Sequence, residues 1–306
     1  MRSSLVIGSR GSKLALAQAE LIAVELRRIN PEVELRLEII KTTGDVRMDP
    51  LSAIGGKGVF TKELEDALLD KRIDVAVHSL KDLPSAIPAG LEITAICKRE
   101  DARDALVLGR GFNYPQPSIR HLRSGAVVGT SSPRRTAQLK FLRPDLVIKD
   151  IRGNIDTRLR KLDEGQYEAL VLAFAGLHRL SLEERISYIV PAMEILPAVG
   201  QGAIALETRS EDDWANELLA PADDRDTRLA CTAERAFQKT LGGGCNLPIA
   251  AHAVVEGKQV RIDGLVTDPA GSSMVRDQLT GSTEEVEMLG TRLARRLMGR
   301  GAHLLE

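Results

Sequence analysis

The sequence predicts an α/β protein, with two successive α/β domains followed by a small α+β domain. Three observations predict it. Short aliphatic runs alternate with amphipathic segments from the N-terminus, and the alternation restarts after a charged and glycine-rich break. Period-two strands framed by two helices then close the chain. At 306 residues the chain exceeds what one hydrophobic core usually organises, so more than one domain is the natural expectation.

Leu5-Val6-Ile7 opens the chain as a strand, a helix runs from Lys13 to Arg28, and Leu35 to Ile40 forms the next strand. A helix from Thr61 to Asp70 leads into the Val75-Ala76-Val77 strand, and Leu91 to Ile96 follows, so a largely parallel sheet flanked by helices is expected. Lys98 to Asp104, KREDARD, is a charged connection, and Gly109 to Pro117 is rich in Gly, Asn and Pro, which marks a domain crossing. The second alternation runs through the Ala126-Val127-Val128 strand, a helix to Arg143, a strand over Leu146 to Ile151, a helix to Glu164 and a strand over Ala169 to Ala173. Leu196-Pro-Ala-Val-Gly-Gln-Gly202 punctuates its end, and Ala203 to Leu206 is one more strand, placed to return to the first domain. A long helix from Asp224 to Leu241, strands at Ile249 to Val255, Val260 to Val266 and Ser273 to Leu279, and a final amphipathic helix make the third domain. The expected boundaries are 1–101 with 203–220 for domain 1, 105–198 for domain 2 and 224–306 for domain 3.

The composition narrows the function. Hydrophobic residues at 43% and charged residues at 28% are those of a globular protein, and aromatics at 3% leave an aliphatic core. A net charge of -1 makes any affinity for anions a matter of local arginine placement, which disfavours nucleic acid as a partner. Cys97, Cys231 and Cys245 form no C-x-x-C pair and have no His at zinc-ligand spacing, so no metal site is expected and a reducing compartment fits. The N-terminal apolar run is too short for a signal-peptide core, and no apolar stretch approaches the roughly 20 residues of a membrane span. A cytoplasmic protein is expected.

The candidate chemistry sits at strand ends. Gly129-Thr-Ser-Ser-Pro-Arg-Arg135 follows a strand and opens a helix, with Ser132 as N-cap and Pro133 in the first turn, so Thr130, Ser131 and backbone N–H groups converge where a helix favours an anion. Arg134 and Arg135 add two charged forks for carboxylate or phosphate. Arg152-Gly-Asn-Ile-Asp-Thr-Arg158 repeats the arrangement; arginines on a helix are usually solvated partners of acids, but Arg10 and Arg179 also stand near strand ends, and ligands of open α/β sheets bind there. His78-Ser-Leu-Lys-Asp-Leu-Pro84 places Lys81 and Asp82 beyond a strand, either as a local Lys/Asp pair on a loop or as a site whose carboxylate accepts ligand N–H groups and stabilises a developing cation, with the ammonium keeping it ionised; the motif alone does not decide between them. His78 itself is read as structural.

Leu241-Gly-Gly-Gly-Cys245-Asn sets a thiol in a glycine-rich turn that permits close ligand approach. On local grounds Cys245 is equally an inert small hydrophobe or a reactive thiol, whereas Cys97 and Cys231, inside apolar segments, belong with the inert class. The long, glycine-containing stretch Thr43 to Phe60 reads either as a lid or binding loop or as a merely disordered segment, and its Gly55-Gly-Lys-Gly58 is not a P-loop because the Gly-Lys-Ser/Thr ending is absent.

The segments GSRGSKLALAQA, GGKGVF, HSLKDLP, VGTSSPRR, RGNIDTRL, LAFAGLHRL, PAVGQGA and LGGGCNLPIA occur in this order between Ile7 and Ala251, and together they closely resemble the porphobilinogen deaminase, or hydroxymethylbilane synthase, family. The resemblance implies two domains like those of periplasmic binding proteins and a third carrying a dipyrromethane cofactor, bonded as a thioether to the cysteine that Cys245 matches. It implies a monomeric transferase of tetrapyrrole (porphyrin, heme) biosynthesis that needs no metal. Such an enzyme condenses four porphobilinogen molecules head to tail, releases ammonia at each addition and frees the linear product by hydrolysis. By the same resemblance, Lys81, Asp82, Thr130, Ser131, Ser132, Arg134, Arg135, Arg152 and Arg158 hold cofactor and growing chain. Arg10, Ser12, Gln18, Phe60, Arg179 and Gln201 serve the substrate, and Asp82 is the catalytic aspartate facing pyrrole N–H groups. Pro133 and Ala102 stand where the family often has Leu and Pro, and the stretch beyond Val255 resembles it in layout only. The rival reading is a two-lobed anion-binding protein without catalysis; a nucleotide-dependent enzyme is disfavoured by the lack of a P-loop or G-x-G-x-x-G turn.

Overall fold

The computed structural model describes residues 2–42, 61–242 and 248–301. The strands are β1 (Ser4–Arg10), β2 (Glu34–Ile40), β3 (Val75–Ser79), β4 (Leu91–Ile96), β5 (Asp104–Leu108), β6 (Val127–Gly129), β7 (Val147–Lys149), β8 (Ala169–Ala173), β9 (Tyr188–Val190), β10 (Ile204–Arg209), β11 (Ile249–Glu256), β12 (Gln259–Thr267) and β13 (Met274–Ser282). The described helices are α1 (Lys13–Ile29), α2 (Lys62–Leu69), α3 (Pro133–Leu142), α4 (Ile155–Asp163), α5 (Phe174–Arg179), α6 (Asp213–Leu219), α7 (Arg225–Thr240) and α8 (Val286–Gly301). The chain divides into two compact units, Met1–Glu100 with Ala203–Arg228 and Asp101–Gly202 with Leu229–Glu306.

The first unit is built on a sheet of order β2-β1-β3-β10-β4. β1 runs parallel to β2 and β3, while β10 is antiparallel to both its neighbours, so the sheet is mixed rather than largely parallel. α1 buries Ala15, Gln18, Ala19, Ile22, Ala23 and Leu26, one face at helical spacing, against Leu5, Ile7, Val75 and Val77. α2 covers the other face through Leu64, Ala67 and Leu68, against Ile73 and Ala76. β10 is buried along its whole length, and its return to the first sheet is the one the apolar run Ala203 to Leu206 predicts.

In the second unit the sheet order is β7-β6-β8-β5-β9. β6 lies parallel to β7 and β8, and β5 is antiparallel to β8 and β9. β5 and β9 are absent from the sequence reading, which takes the neighbourhood of Asp104 as a connection. Gly129 ends β6 where an added Cβ would strike the side chains of Leu170 and Tyr167, so any larger residue would force those side chains to shift. The same unit contains the antiparallel meander β11-β12-β13, covered by α7 and α8 around Phe237, Val260, Ile262, Leu289 and Leu293. The two helices approach so closely that a Cβ on Gly290 would meet the Ala233 carbonyl.

Candidate active site

In the first unit β1 and β3 run side by side and parallel, so their carboxyl ends open on one edge of the sheet, the edge at which open α/β sheets bind ligands. Beyond β1 the chain passes Arg10 and reaches Ser12, whose hydroxyl accepts the Ala15 amide at 3.3 Å and caps α1. Beyond β3 it makes one 3-10 turn over Leu80–Asp82. The turn is pinned: the Leu80 amide donates to the Ala203 carbonyl at 3.0 Å and the Leu83 amide to the Leu80 carbonyl at 3.2 Å. Arg10, Ser12, Gln18 and Asp82 line a single open pocket at this edge, together with Thr61, His78 and Ser79. The buried Gln18 amide donates to Ser79 Oγ at 2.9 Å, the Asp82 carboxylate is exposed, and Lys81 beside it is half-buried.

The second unit gathers a buried charge cluster. Asp104, fully buried at the start of β5, receives Arg134 Nη1 on Oδ2 at 2.9 Å and Arg135 Nη2 on Oδ1 at 2.7 Å. Gln201 Nε2 donates to the same Oδ1 at 2.8 Å and to the Ala102 carbonyl at 2.7 Å, and Arg134 Nη1 also reaches the Leu196 carbonyl at 2.7 Å. Both arginines are themselves buried, and the Nε of each has no hydrogen-bond partner among the described residues. One carboxylate against two guanidinia leaves one positive charge in excess. Burial alone would push the Asp104 carboxyl up, but Arg134 and Arg135 hold it well below the usual carboxylate range.

A prediction follows from that pairing. Asp104→Asn strands two buried guanidinia and costs about 3–5 kcal/mol, read as an earlier transition in urea or thermal unfolding. Because the folded-state value is depressed, the contribution of Asp104 is present above the ordinary carboxylate range. It is lost as pH falls below about 4 toward that depressed value, so wild type and variant converge there on acidification.

The other expected residues of this unit are held by contacts of their own. The Thr130 hydroxyl accepts the Ser132 amide at 3.2 Å, and Ser132 Oγ accepts the Arg135 amide at 3.4 Å as the cap of α3, with Pro133 in its first turn. Ser131 Oγ donates to the Ile151 carbonyl and accepts the Ile151 amide at 3.1 Å, which joins the α3 start to the strand end that carries Arg152. Arg152 Nε donates to Asp150 at 3.0 Å, Arg158 Nε to the Gly153 carbonyl at 2.7 Å, and Arg179 Nη2 to the Gly202 carbonyl at 2.6 Å.

Phe60, Cys245 and the stretch Thr43 to Phe60 lie outside the described residues. Two features escape the sequence reading. Asp104, hidden in a charged run, is the hub of the arginines, and His78 lines the pocket while its Nε2 lies 3.0 Å from buried Glu207 Oε2. Neither partner is near in sequence, so only the strand pairing reveals them.

Two family models match the chain. The one described as porphobilinogen deaminase, dipyromethane cofactor binding domain, matches residues 5–217, and the one described as porphobilinogen deaminase, C-terminal domain, matches residues 228–299. Among solved structures the chain is similar to the periplasmic VFT2 domain of Bordetella pertussis BvgS, at 14% identity over 72% of this chain and 87% of that one, with a TM-score of 0.45. An ancestral arginine-binding protein bound to arginine matches at 15% identity over 72% and 91%, TM-score 0.41. YhfZ from Shigella flexneri matches at 14% identity over 76% and 88%, TM-score 0.38.

Proposed function

The chain belongs to the porphobilinogen deaminase family, and from that membership we propose that Asp82 is its catalytic carboxylate and Cys245 the anchor of its dipyrromethane. The enzyme is a transferase that joins porphobilinogen units head to tail with release of ammonia, and its cofactor is dipyrromethane. When bound, dipyrromethane supplies the pyrrole carbon at which porphobilinogen is added.

The donor set suits such a group. Pyrrole units with acetate and propionate arms are anionic, and the Asp104 cluster has a positive charge in excess and two buried guanidinium N–H groups without acceptors. In this reading Arg134 and Arg135 meet cofactor carboxylates with Thr130, Ser131, Ser132, Arg152, Arg158 and Lys81. Arg10, Ser12, Gln18, Phe60, Arg179 and Gln201 serve the incoming substrate. The meander β11-β12-β13 with α7 and α8 is taken as a third domain that carries the anchor.

The pocket at the β1 and β3 ends carries the proposal for the reaction. Porphobilinogen presents N–H groups and an ammonium on one side of its chemistry and two carboxylates on the other; the pocket offers the Asp82 carboxylate to the first and Arg10, Ser12 and Gln18 to the second. Asp82 accepts pyrrole N–H bonds, and its charge stabilises the positive charge that grows on the substrate as ammonia leaves. The same reading makes the enzyme a cytoplasmic monomer that works without nucleic acid or membrane; no described helix is long and apolar enough to cross one.

Purified protein supplied with porphobilinogen is expected to release ammonia and a linear tetrapyrrole. Saturable binding of porphobilinogen with no ammonia release would establish the non-catalytic anion binder instead.

A further inference from the structure

Behind the pocket, three titratable side chains are buried together. His78 on β3 and Glu207 on β10 are 3% and 0% exposed, with Nε2 and Oε2 3.0 Å apart. Across the two strands His78 pairs with Ala205 and Ala76 with Glu207, so the two side chains stand diagonally on one sheet face, the face that α2 covers. Glu65 of α2 is buried there. β1, β2 and β4 meet α2 through the apolar Val6, Ile40 and Leu91. Arg209 on β10 is turned to Asp74 and the carbonyls of Leu68 and Ile73, and Asp66 is the other acid acting on Glu65. From the pocket side the charged neighbours are Arg10 and Asp82.

A buried carboxylate is costly unless its oxygens are satisfied. Here Oε1 of Glu207 and Oε1 of Glu65 both lack a hydrogen-bond partner among the described residues. A proton on Glu65 eases both, because a neutral Glu65 is a hydrogen-bond donor and leaves one negative charge rather than two on this buried face, while Glu207 still bonds His78. Burial is the largest influence on Glu65 and pushes its carboxyl up, with the charge of Glu207 acting the same way and Thr61 and His78 opposing.

We propose that Glu65, Glu207 and His78 share a proton along a buried chain that opens on the substrate pocket at His78, and that His78 relays protons for the condensation. The inference rests on the reading of this pocket as the place of reaction. Its proton balance is closed: ammonia departs with the electrons of the broken C–N bond, and formation of the C–C bond releases one proton. With Nε2 engaged by Glu207, Nδ1 is the other ring nitrogen of this pocket-lining residue; in the proposal it takes the proton, the imidazolium is stabilised by the Glu207 carboxylate, and the proton passes to the released ammonia, which leaves the site as ammonium.

Two isosteric changes test this in the holoenzyme. Glu65→Gln keeps a donor toward Glu207 but cannot exchange a proton. Infrared difference spectroscopy is expected to show the C=O stretch of a protonated buried carboxyl in wild type at neutral pH and not in this variant. The kcat profile of Glu65→Gln is expected to extend to higher pH, since Gln cannot add the second negative charge that ionised Glu65 brings. His78→Gln retains a donor to Glu207 and should lower kcat by about 10²-fold with KM little changed, with partial rescue by added imidazole. Absence of the carboxyl band at neutral pH, or full turnover in His78→Gln, overturns the proposal. Failure of the pocket reading is separate: it appears as retained turnover in Asp82→Asn with the carboxyl band unaltered.

Discussion

Asp82→Asn is expected to yield a folded enzyme that keeps its dipyrromethane yet turns over about 10²–10³-fold more slowly, the loss typical of removing one preorganised electrostatic contact at a transition state. The fold has little stake in this carboxylate. Asp82 is exposed at the end of a 3-10 turn whose backbone is fixed by the Leu80 to Ala203 and Leu83 to Leu80 hydrogen bonds, none of which uses the Asp82 side chain. Asn has the same shape and its amide oxygen still accepts a pyrrole N–H, so ground-state binding survives in part and KM should change less than kcat. What vanishes is the negative charge opposite the cation that forms as ammonia leaves. Steady-state kinetics with intact mass on the same sample separate the cases: unchanged mass with depressed kcat supports the assignment, and near-normal kcat removes Asp82 from the chemistry.

Local signals carried much of this architecture. Periodicity placed α1 from Lys13, and the Ser132 cap with Pro133 placed α3, within a residue or two, because those signals act between neighbours in sequence. β5 escaped because its four apolar residues follow the run KREDARD, whose last acid, Asp104, is the first residue of the strand. An acid there looks solvated until Arg134, Arg135 and Gln201 are seen to enclose it. The strand direction was equally hidden: an apolar run does not say whether its neighbours are parallel, and β10 and β5 are antiparallel insertions in otherwise parallel sheets. The site shows the same division. Arg10 and Asp82 could be picked out beside strand ends, whereas Ser12 and Gln18 came only from the family resemblance; the four line one pocket. Glu207, which bonds His78 from a strand 129 residues away, gave no local sign.

The largest loss is expected from Cys245→Ser. Cys97 is half-buried and Cys231 buried in α7, where a thiol behaves as a small apolar group, whereas Cys245 follows three glycines in the sequence, the residue type that permits close approach of a ligand. A thiolate attacks carbon at neutral pH and a serine hydroxyl without an activating base does not, so the variant should lack the thioether altogether. Purified wild type is then heavier than its 33.3 kDa chain by one dipyrromethane, while the variant has the mass of the chain alone. Turnover should fall to background, further than in Asp82→Asn, because a tethered primer enjoys an effective concentration that free pyrroles in solution do not reach. A second consequence links the anchor to the charge cluster around Asp104. Without an anionic group to answer its excess positive charge, the variant loses the stabilisation that a bound ligand confers on the folded state, and its unfolding transition should come earlier even though a single side-chain atom has changed. A wild-type chain that carries no added mass and still converts porphobilinogen would refute the anchor, and with it the coupling between Cys245 and the arginines.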